Sequence, residues 1–126
     1  MSIMDVNLML RAVGAGALAD SEATPTSKDF GGPDQHALTY VCICPAAATG
    51  TTPAVTIEIQ ESDDDSSFRT ALTFEPIAAA DVPGKFFVTG KLDGRYRRHV
   101  ATLFNEDNDF GLVLIAPVIG GLYEDF

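Results

Sequence analysis

The stretch AVTIEIQESDDDSSF, residues 54–68, decides the fold. Val55, Ile57 and Ile59 alternate with polar residues, and this period of two predicts a β-strand with one buried face. The acidic, serine-rich segment SDDDSS then predicts a turn. After the turn, Phe68 is expected to re-enter the core.

Similar short stretches recur along the chain, with turn-forming residues between them and without a long helical period. Cys42 and Cys44 belong to a stretch that is apolar on both faces, which is typical of a strand in the middle of a sheet. The pattern predicts an all-β fold: an antiparallel β-sandwich, jelly-roll-like, with an N-terminal arm. The predicted strands are residues 27–30, 36–44, 54–61, 68–74, 84–92, 95–104 and 110–119, with a crossing loop at 75–84.

The 126 residues are enough for one domain with its own core. We divide the chain into an N-terminal arm or short helix (residues 1–20), the β-sandwich (21–121) and a C-terminal tail (122–126). The arm allows two interpretations. It lies on a neighbouring subunit, or it is a first strand or cap that packs on its own domain.

The net charge of −10 and the pI near 4.3 oppose binding to nucleic acid and to anionic membranes. The longest apolar run, residues 112–119, is too short to span a bilayer. The N-terminus lacks a basic region, and Asp5 and Arg11 interrupt its apolar stretch, so it does not resemble a signal peptide.

Cys42 and Cys44 lie two residues apart, so in a strand they point to the same face with poor geometry for a disulfide. Two further ligands at the spacing of a zinc site are missing, because His36 and His99 stand far apart in the sequence. We therefore expect two reduced, packed thiols, as in a reducing compartment.

The acidic turns at 63–65 and 105–109 do not fit the pattern of an EF-hand calcium loop. Neither has glycine at the sixth position or a carboxylate at the twelfth, as an EF-hand requires. We expect solvated turns, and we expect no cofactor and no metal; only a sandwich that brought the two turns together would provide the missing ligands.

Arg95, Arg97 and Arg98 form the basic cluster of the chain, with Tyr96 between them. A strand sends Arg95 and Arg97 to one face and Arg98 to the other, which splits the cluster and argues against a nucleic-acid site. Ion pairs with the many acidic residues are expected instead. No nucleophile elbow, P-loop or dinucleotide-binding motif supports an enzyme.

The order of these elements resembles the small jelly-roll capsid cement (decoration) proteins of tailed bacteriophages. The resemblance covers residues 36–119. It rests on the segments 59–64 (IQESDD) with Phe68 just beyond, 86–88 (FFV), 94–98 (GRYRR) and the glycine-containing apolar strand 111–119. The turn 105–109 and the tail 122–126 depart from the family pattern.

The resemblance implies a structural virion protein, made in the host cytoplasm, that binds the outer surface of the phage head as a homodimer or homotrimer. Its partners would be the major capsid protein and other copies of itself, and it would have no active site. The alternative is a carbohydrate- or peptide-binding sandwich module of a larger assembly, although the chain contains no Trp.

Apolar and aromatic residues near both chain ends are the candidate interface, because terminal segments fray unless something holds them. Gly120 and Gly121 would give the tail freedom to reach a neighbour. The predicted interface residues are Met4, Val6, Leu8, Leu10, Leu122, Tyr123 and Phe126.

Overall fold

A computed structural model describes residues 9–118 of the chain. The described part is nearly all β, and two antiparallel sheets pack together, which confirms the predicted all-β sandwich. Short 3₁₀ turns cover Val13–Ala15 and Ala79–Asp81. The strands are β1 (Lys28–Asp29), β2 (Leu38–Cys44), β3 (Ala54–Ser62), β4 (Arg69–Thr73), β5 (Ile77–Ala78), β6 (Gly84–Gly90), β7 (Tyr96–Leu103) and β8 (Leu114–Pro117).

Within the described residues, sheet I has the strand order β1-β7-β3-β4, with β5 also paired to β3, and sheet II has the order β6-β2-β8. β2 pairs with β8 and β3 pairs with β7, so the first half of the chain is laid antiparallel along the second half. This pairing of the first half of the chain with the second half is the connectivity of a jelly roll. Here the two sheets contain unequal numbers of strands. Among the described residues, no helix is long and apolar enough to cross a membrane.

The organising strand behaves as its alternation predicts. Val55, Ile57 and Ile59 of β3 are 0–1% exposed and face sheet II, while Thr56 and Glu58 are half-buried on the other face. The core between the sheets therefore forms where the period-two pattern places it. Other core members include Leu18, Tyr40, Phe74, Ile77, Leu92, Phe110 and Ile115.

β2 is the central strand of sheet II, as predicted from its two apolar faces. Cys42 and Cys44 are free and buried, and their sulfur atoms lie 4.0 Å apart on the core side. The prediction of two packed thiols is confirmed.

Phe68 does not enter the core, contrary to the sequence prediction. It is half-buried on the outer side of sheet I, where its ring centroid lies 3.9 Å from the guanidinium carbon of Arg98. A register shift in β3 after Ile59 pairs Gln60 with Thr70. Because Phe68 is two residues from Thr70, it shares the outward face with Gln60.

Most strand ends differ from the sequence prediction by one or two residues, and two regions differ by more. The predicted crossing loop, residues 75–84, contains β5, which continues sheet I beside the start of β3. The last apolar run forms a ladder only over Leu114–Pro117, because Leu112 instead forms an isolated bridge to Ala17.

The segment 9–27, which we call the N-terminal strap, closes one open side of the sandwich. At its start, the Leu10 N–H donates to the Ile115 carbonyl at 2.8 Å, beside β8. Farther along, Glu22 and Ala101 of β7 exchange two backbone hydrogen bonds of 2.8 and 3.0 Å. The strap therefore joins the edge of sheet II to the edge of sheet I, as in the interpretation in which this segment packs on its own domain.

Candidate functional site

Three side chains fasten the strap where it crosses the open side of the sandwich. Arg11 is 1% exposed and holds Glu22 with two hydrogen bonds, Nε to Oε1 at 3.1 Å and Nη2 to Oε2 at 3.0 Å. Arg11 Nη1 also donates to the carbonyls of Gly16 and Val113, each at 2.9 Å. His99 Nε2 lies 2.5 Å from the same Oε1 of Glu22. We call Arg11, Glu22 and His99 the strap cluster.

The electrostatics of the strap cluster favour an ionised carboxylate and a neutral imidazole. Burial opposes ionisation of Glu22, but hydrogen bonds from Arg11 and His99 outweigh it and lower the pKa of Glu22. Burial lowers the pKa of His99, although the hydrogen bond to Glu22 opposes that change. His99 Nε2 faces the Glu22 carboxylate and Nδ1 faces the Leu10 carbonyl at 3.2 Å, so both ring nitrogens lie against hydrogen-bond acceptors.

An open groove of about 600 Å³ lies above the strap cluster, between the part of the strap beside β8 and the part beside β7. Met9, Ala12, Ala15, Ala23 and Pro25 contribute apolar wall, and the cluster forms part of the floor. Both nitrogens of His99 already face protein oxygens, and the Ser21 hydroxyl accepts the Leu103 N–H. A histidine engaged in this way is unsuited to activating a nucleophile, so the geometry favours a structural fastening.

Arg95 and Arg97 of the basic cluster form internal ion pairs, as expected from the sequence, while Arg98 donates to Gln60 Oε1 at 2.9 Å. Arg95 pairs with Asp29 at 2.7 Å on the surface, and Arg97 pairs with Asp34 at 2.7 Å in the interior. Arg97 also donates to the Tyr40 hydroxyl at 2.8 Å, and burial raises the pKa of Tyr40 to about 12. Arg95 and Arg97 therefore tie β7 to acidic residues of the same chain.

The two acidic turns lie at opposite ends of the β3–β7 ladder. Ser62, which precedes one turn, pairs with Tyr96, while Leu103, which precedes the other, pairs with Val55. The sandwich thus keeps the turns apart. Asp64 instead stabilises its own turn. It accepts hydrogen bonds from the Ser62 hydroxyl and from the backbone N–H groups of Ser66 and Ser67. Within residues 9–118, no three metal-ligating side chains gather.

The outer face of sheet II is apolar. Strand alternation and pairing place Val41, Phe87 and Ala116 in one row across the three strands, on the face away from the core. Val41 and Ala116 are buried outside the core cluster, while Phe87 is 46% exposed. The next row is Ile43, Lys85 and Leu114 and the previous pair is Thr39 and Thr89, so these positions carry no carboxylate.

The described chain begins and ends beside sheet II. The backbone N–H groups of Leu10 and Arg11 both donate to the Ile115 carbonyl of β8, at 2.8 and 3.2 Å. On the other side of β8, the Val118 N–H donates to the Thr39 carbonyl at 2.8 Å. The first and last described residues, Met9 and Val118, therefore both lie beside strands of sheet II.

Of the predicted interface residues, the structure describes only Leu10. Leu10 is 7% exposed and belongs to the hydrophobic core of its own chain. The other six lie outside the described residues: Met4, Val6, Leu8, Leu122, Tyr123 and Phe126.

The sequence did not predict the strap cluster or the apolar outer face of sheet II. The cluster joins residues 11, 22 and 99, and a single sequence gives no signal for such a long-range contact. The apolar face had a partial signal, because Val41 and Ile43 made the second face of β2 apolar. A scan against protein-family models and a search of curated proteins found no match for this chain.

Proposed function

We propose that this protein is a structural virion protein, a capsid cement or decoration protein that binds the outer surface of a bacteriophage head as a homo-oligomer. The proposal joins the resemblance of residues 36–119 to that family with the surface features of the sandwich. The functional site of the chain would be a protein-binding surface and not a catalytic centre.

The observation that carries the proposal is that the described chain begins and ends beside sheet II. Leu10 and Arg11 bond to Ile115 of β8, and Val118 bonds to Thr39 of β2. Apolar residues of segments 1–8 and 119–126 would therefore reach a neighbouring subunit from one place. Anchors that act together from one site raise the effective concentration of each.

The charge distribution supports the same surface. The chain carries 18 acidic residues, and repulsion between acidic copies opposes their association. On the outer face of sheet II, Val41 and Ala116 are buried and Phe87 is 46% exposed, so Phe87 is the large apolar side chain that this face presents. Contact through this face would bring copies or capsid subunits together while the acidic turns stay at the ends of sheet I.

Two shortened chains and one point variant test the proposal. One chain lacks residues 1–8, the other ends at Val118, and the variant is Phe87→Ser. We expect all three to retain the circular dichroism of a β-sandwich, since each leaves the core of residues 9–118 intact. We expect each to lose oligomerisation, measured by size exclusion with light scattering, or to lose binding to purified shells of the source phage.

Phe104→Ser is the matched control. Phe104 is 68% exposed at the end of β7 in sheet I, so its replacement removes an exposed ring from a different surface. It should leave assembly unchanged. Normal assembly of all the altered chains, or equal loss with Phe104→Ser, would refute the proposal. A monomer that ignores shells and binds oligosaccharides or peptides would favour the alternative, a binding module.

A further inference from the structure

One position of β7 lacks a backbone partner on the side of the strand that faces the strap. Ala101 exchanges two backbone hydrogen bonds with Glu22, so the odd-numbered residues of β7 point their N–H and C=O groups toward the strap. Four of the odd-numbered residues from 95 to 103 have partners there: Arg95 with Phe30, Arg97 with Lys28, Ala101 with Glu22, and Leu103 with Ser21. The exception is His99, because within residues 9–118 no hydrogen bond reaches its backbone N–H or C=O.

The unpaired groups of His99 lie at the groove beside the strap. His99 is 3% exposed, and it lines the groove of about 600 Å³. Buried backbone groups in proteins nearly always have a hydrogen-bond partner, because an unmade bond leaves the cost of removing them from water uncompensated. The groove therefore presents one donor and one acceptor to a ligand that has an acceptor and a donor of its own.

The sequence of the strap explains why this position is open. Between two paired positions, the strap has five residues, 23–27, where β7 has three, 98–100. The longer segment bows away from its neighbour, as one strand does at a β-bulge. Pro25 stands in the middle of the bow and has no N–H to offer. The gap at His99 is thus built into the fold.

Lys28 supplies the groove with a cation. Its side chain lines the groove, and in the described part of the chain it makes no ion pair. Arg11, on the floor, is already neutralised by Glu22. Because Ala12 and Ala15 contribute apolar wall, the groove suits a ligand that combines a carboxylate with apolar groups.

We propose that this groove binds a short, extended peptide segment of a partner protein. One residue of the peptide pairs with the backbone N–H and C=O of His99, and an acidic side chain of the peptide pairs with Lys28. The peptide extends sheet I at the one point of β7 that the strap leaves unpaired, which is recognition by strand addition. The site is separate from the outer face of sheet II and does not depend on capsid binding.

The free protein provides the first test. In hydrogen exchange of single amides, followed by nuclear magnetic resonance, the His99 amide should be about tenfold or more less protected than the amides of Arg97 and Ala101, because it lacks a partner. Equal protection of the three amides would show that His99 is already bonded within the chain, and it would overturn the proposal.

Blocked pentapeptides provide the second test. The probes are acetyl-Val-Thr-X-Thr-Val-amide with aspartate, asparagine or lysine at X, since valine and threonine favour an extended chain. We expect the aspartate probe to shift the His99 amide signal and raise its protection. It should bind about threefold or more tighter than the lysine probe at low salt, through its ion pair with Lys28. No shift at His99 with any probe at millimolar concentration, or equal affinity of the aspartate and lysine probes, would refute the proposal.

A charge reversal assigns the preference to the groove. Lys28→Glu should bind the lysine probe more tightly than the aspartate probe. Lys91→Glu, at an exposed lysine outside the groove, is the matched control and should keep the preference for aspartate. An unchanged preference in Lys28→Glu would contradict the assignment. If Lys28→Glu does not fold, Ala15→Phe decides the question: it fills the groove from an exposed position of the strap and should abolish binding, so normal affinity for the aspartate probe would overturn the site.

Discussion

The buried pair of Arg97 and Asp34 gives the sharpest stability prediction. Arg97 is 0% exposed on the inward face of β7, and the side chain of Asp34 is 9% exposed. Asp34 Oδ1 lies 2.7 Å from Arg97 Nη1. Asp34→Asn keeps the shape of the side chain but removes its charge, and leaves the guanidinium with the Tyr40 hydroxyl and the carbonyls of Gly32 and Gly94.

The expected cost follows from the position of Arg97 in the molecule. Removing one partner of a buried ion pair typically costs about 3–5 kcal/mol, because the remaining charge stays out of water. Arg97 cannot move to solvent unless its strand leaves the sandwich, so relaxation should be small. For a domain of this size, the loss corresponds to a melting temperature lower by roughly 10–20 °C.

Asp29→Asn is the matched control for Asp34→Asn. Asp29 pairs with Arg95 at 2.7 Å, but both side chains are about half exposed, and solvent screens such pairs. Thermal and urea unfolding at pH 7, followed by circular dichroism, should show a large loss for Asp34→Asn and almost none for Asp29→Asn. Equal effects would mean that Arg97 is hydrated, and the reasoning from burial would then be wrong.

Three further predictions concern the sandwich itself. Ile57→Ala should cost about 2–5 kcal/mol in urea unfolding, while Glu58→Ala should change stability by less than about 0.5 kcal/mol; similar costs would contradict the register of β3. Gly94→Ala places a Cβ 2.8 Å from the backbone nitrogen of Ser62 and should be destabilising by roughly 1–3 kcal/mol, whereas Gly14→Ala meets no atom within 4 Å and should be tolerated. Calcium and EDTA should give melting temperatures within about 4 °C of each other, and a larger difference would indicate a metal site.

The sequence was sufficient to predict the sheets because their signal is local. Val55, Ile57 and Ile59 alternate with polar residues, and burying all three on one face determines which side of β3 faces the core. The two apolar faces of the segment containing Cys42 likewise predicted a central strand. Both predictions are confirmed by the structure.

Periodicity was not sufficient where both faces of a strand carry polar and apolar residues. In β7, Tyr96 and Val100 alternate with Arg97 and His99, so hydropathy does not decide which face is inward. The structure buries the arginine and the histidine, at 0% and 3% exposure. Their polar partners come from residues 22 and 34, at separations in sequence that a local pattern does not report.

The predicted burial of Phe68 was wrong for a related reason. Its expected burial assumed an unbroken alternation through the turn into β4. The register shift after Ile59 changes which residues of β4 face outward, and Arg98 offers the ring a cation to stack on. Long-range pairing thus determined the side on which an apolar residue lies.

The two buried arginines have the same chemistry but should respond differently when their carboxylates are neutralised. Arg97 belongs to β7 and is paired there with both β1 and β3, so leaving Asp34 without charge should destabilise the whole sandwich. Arg11 is also buried, but its partner Glu22 has a side chain that is 27% exposed, so water reaches this ion pair more easily than it reaches Asp34. The consequence of an unpaired buried charge therefore depends on how easily water can replace the lost carboxylate, which is why Asp34→Asn is expected to lower the melting temperature more than Glu22→Gln.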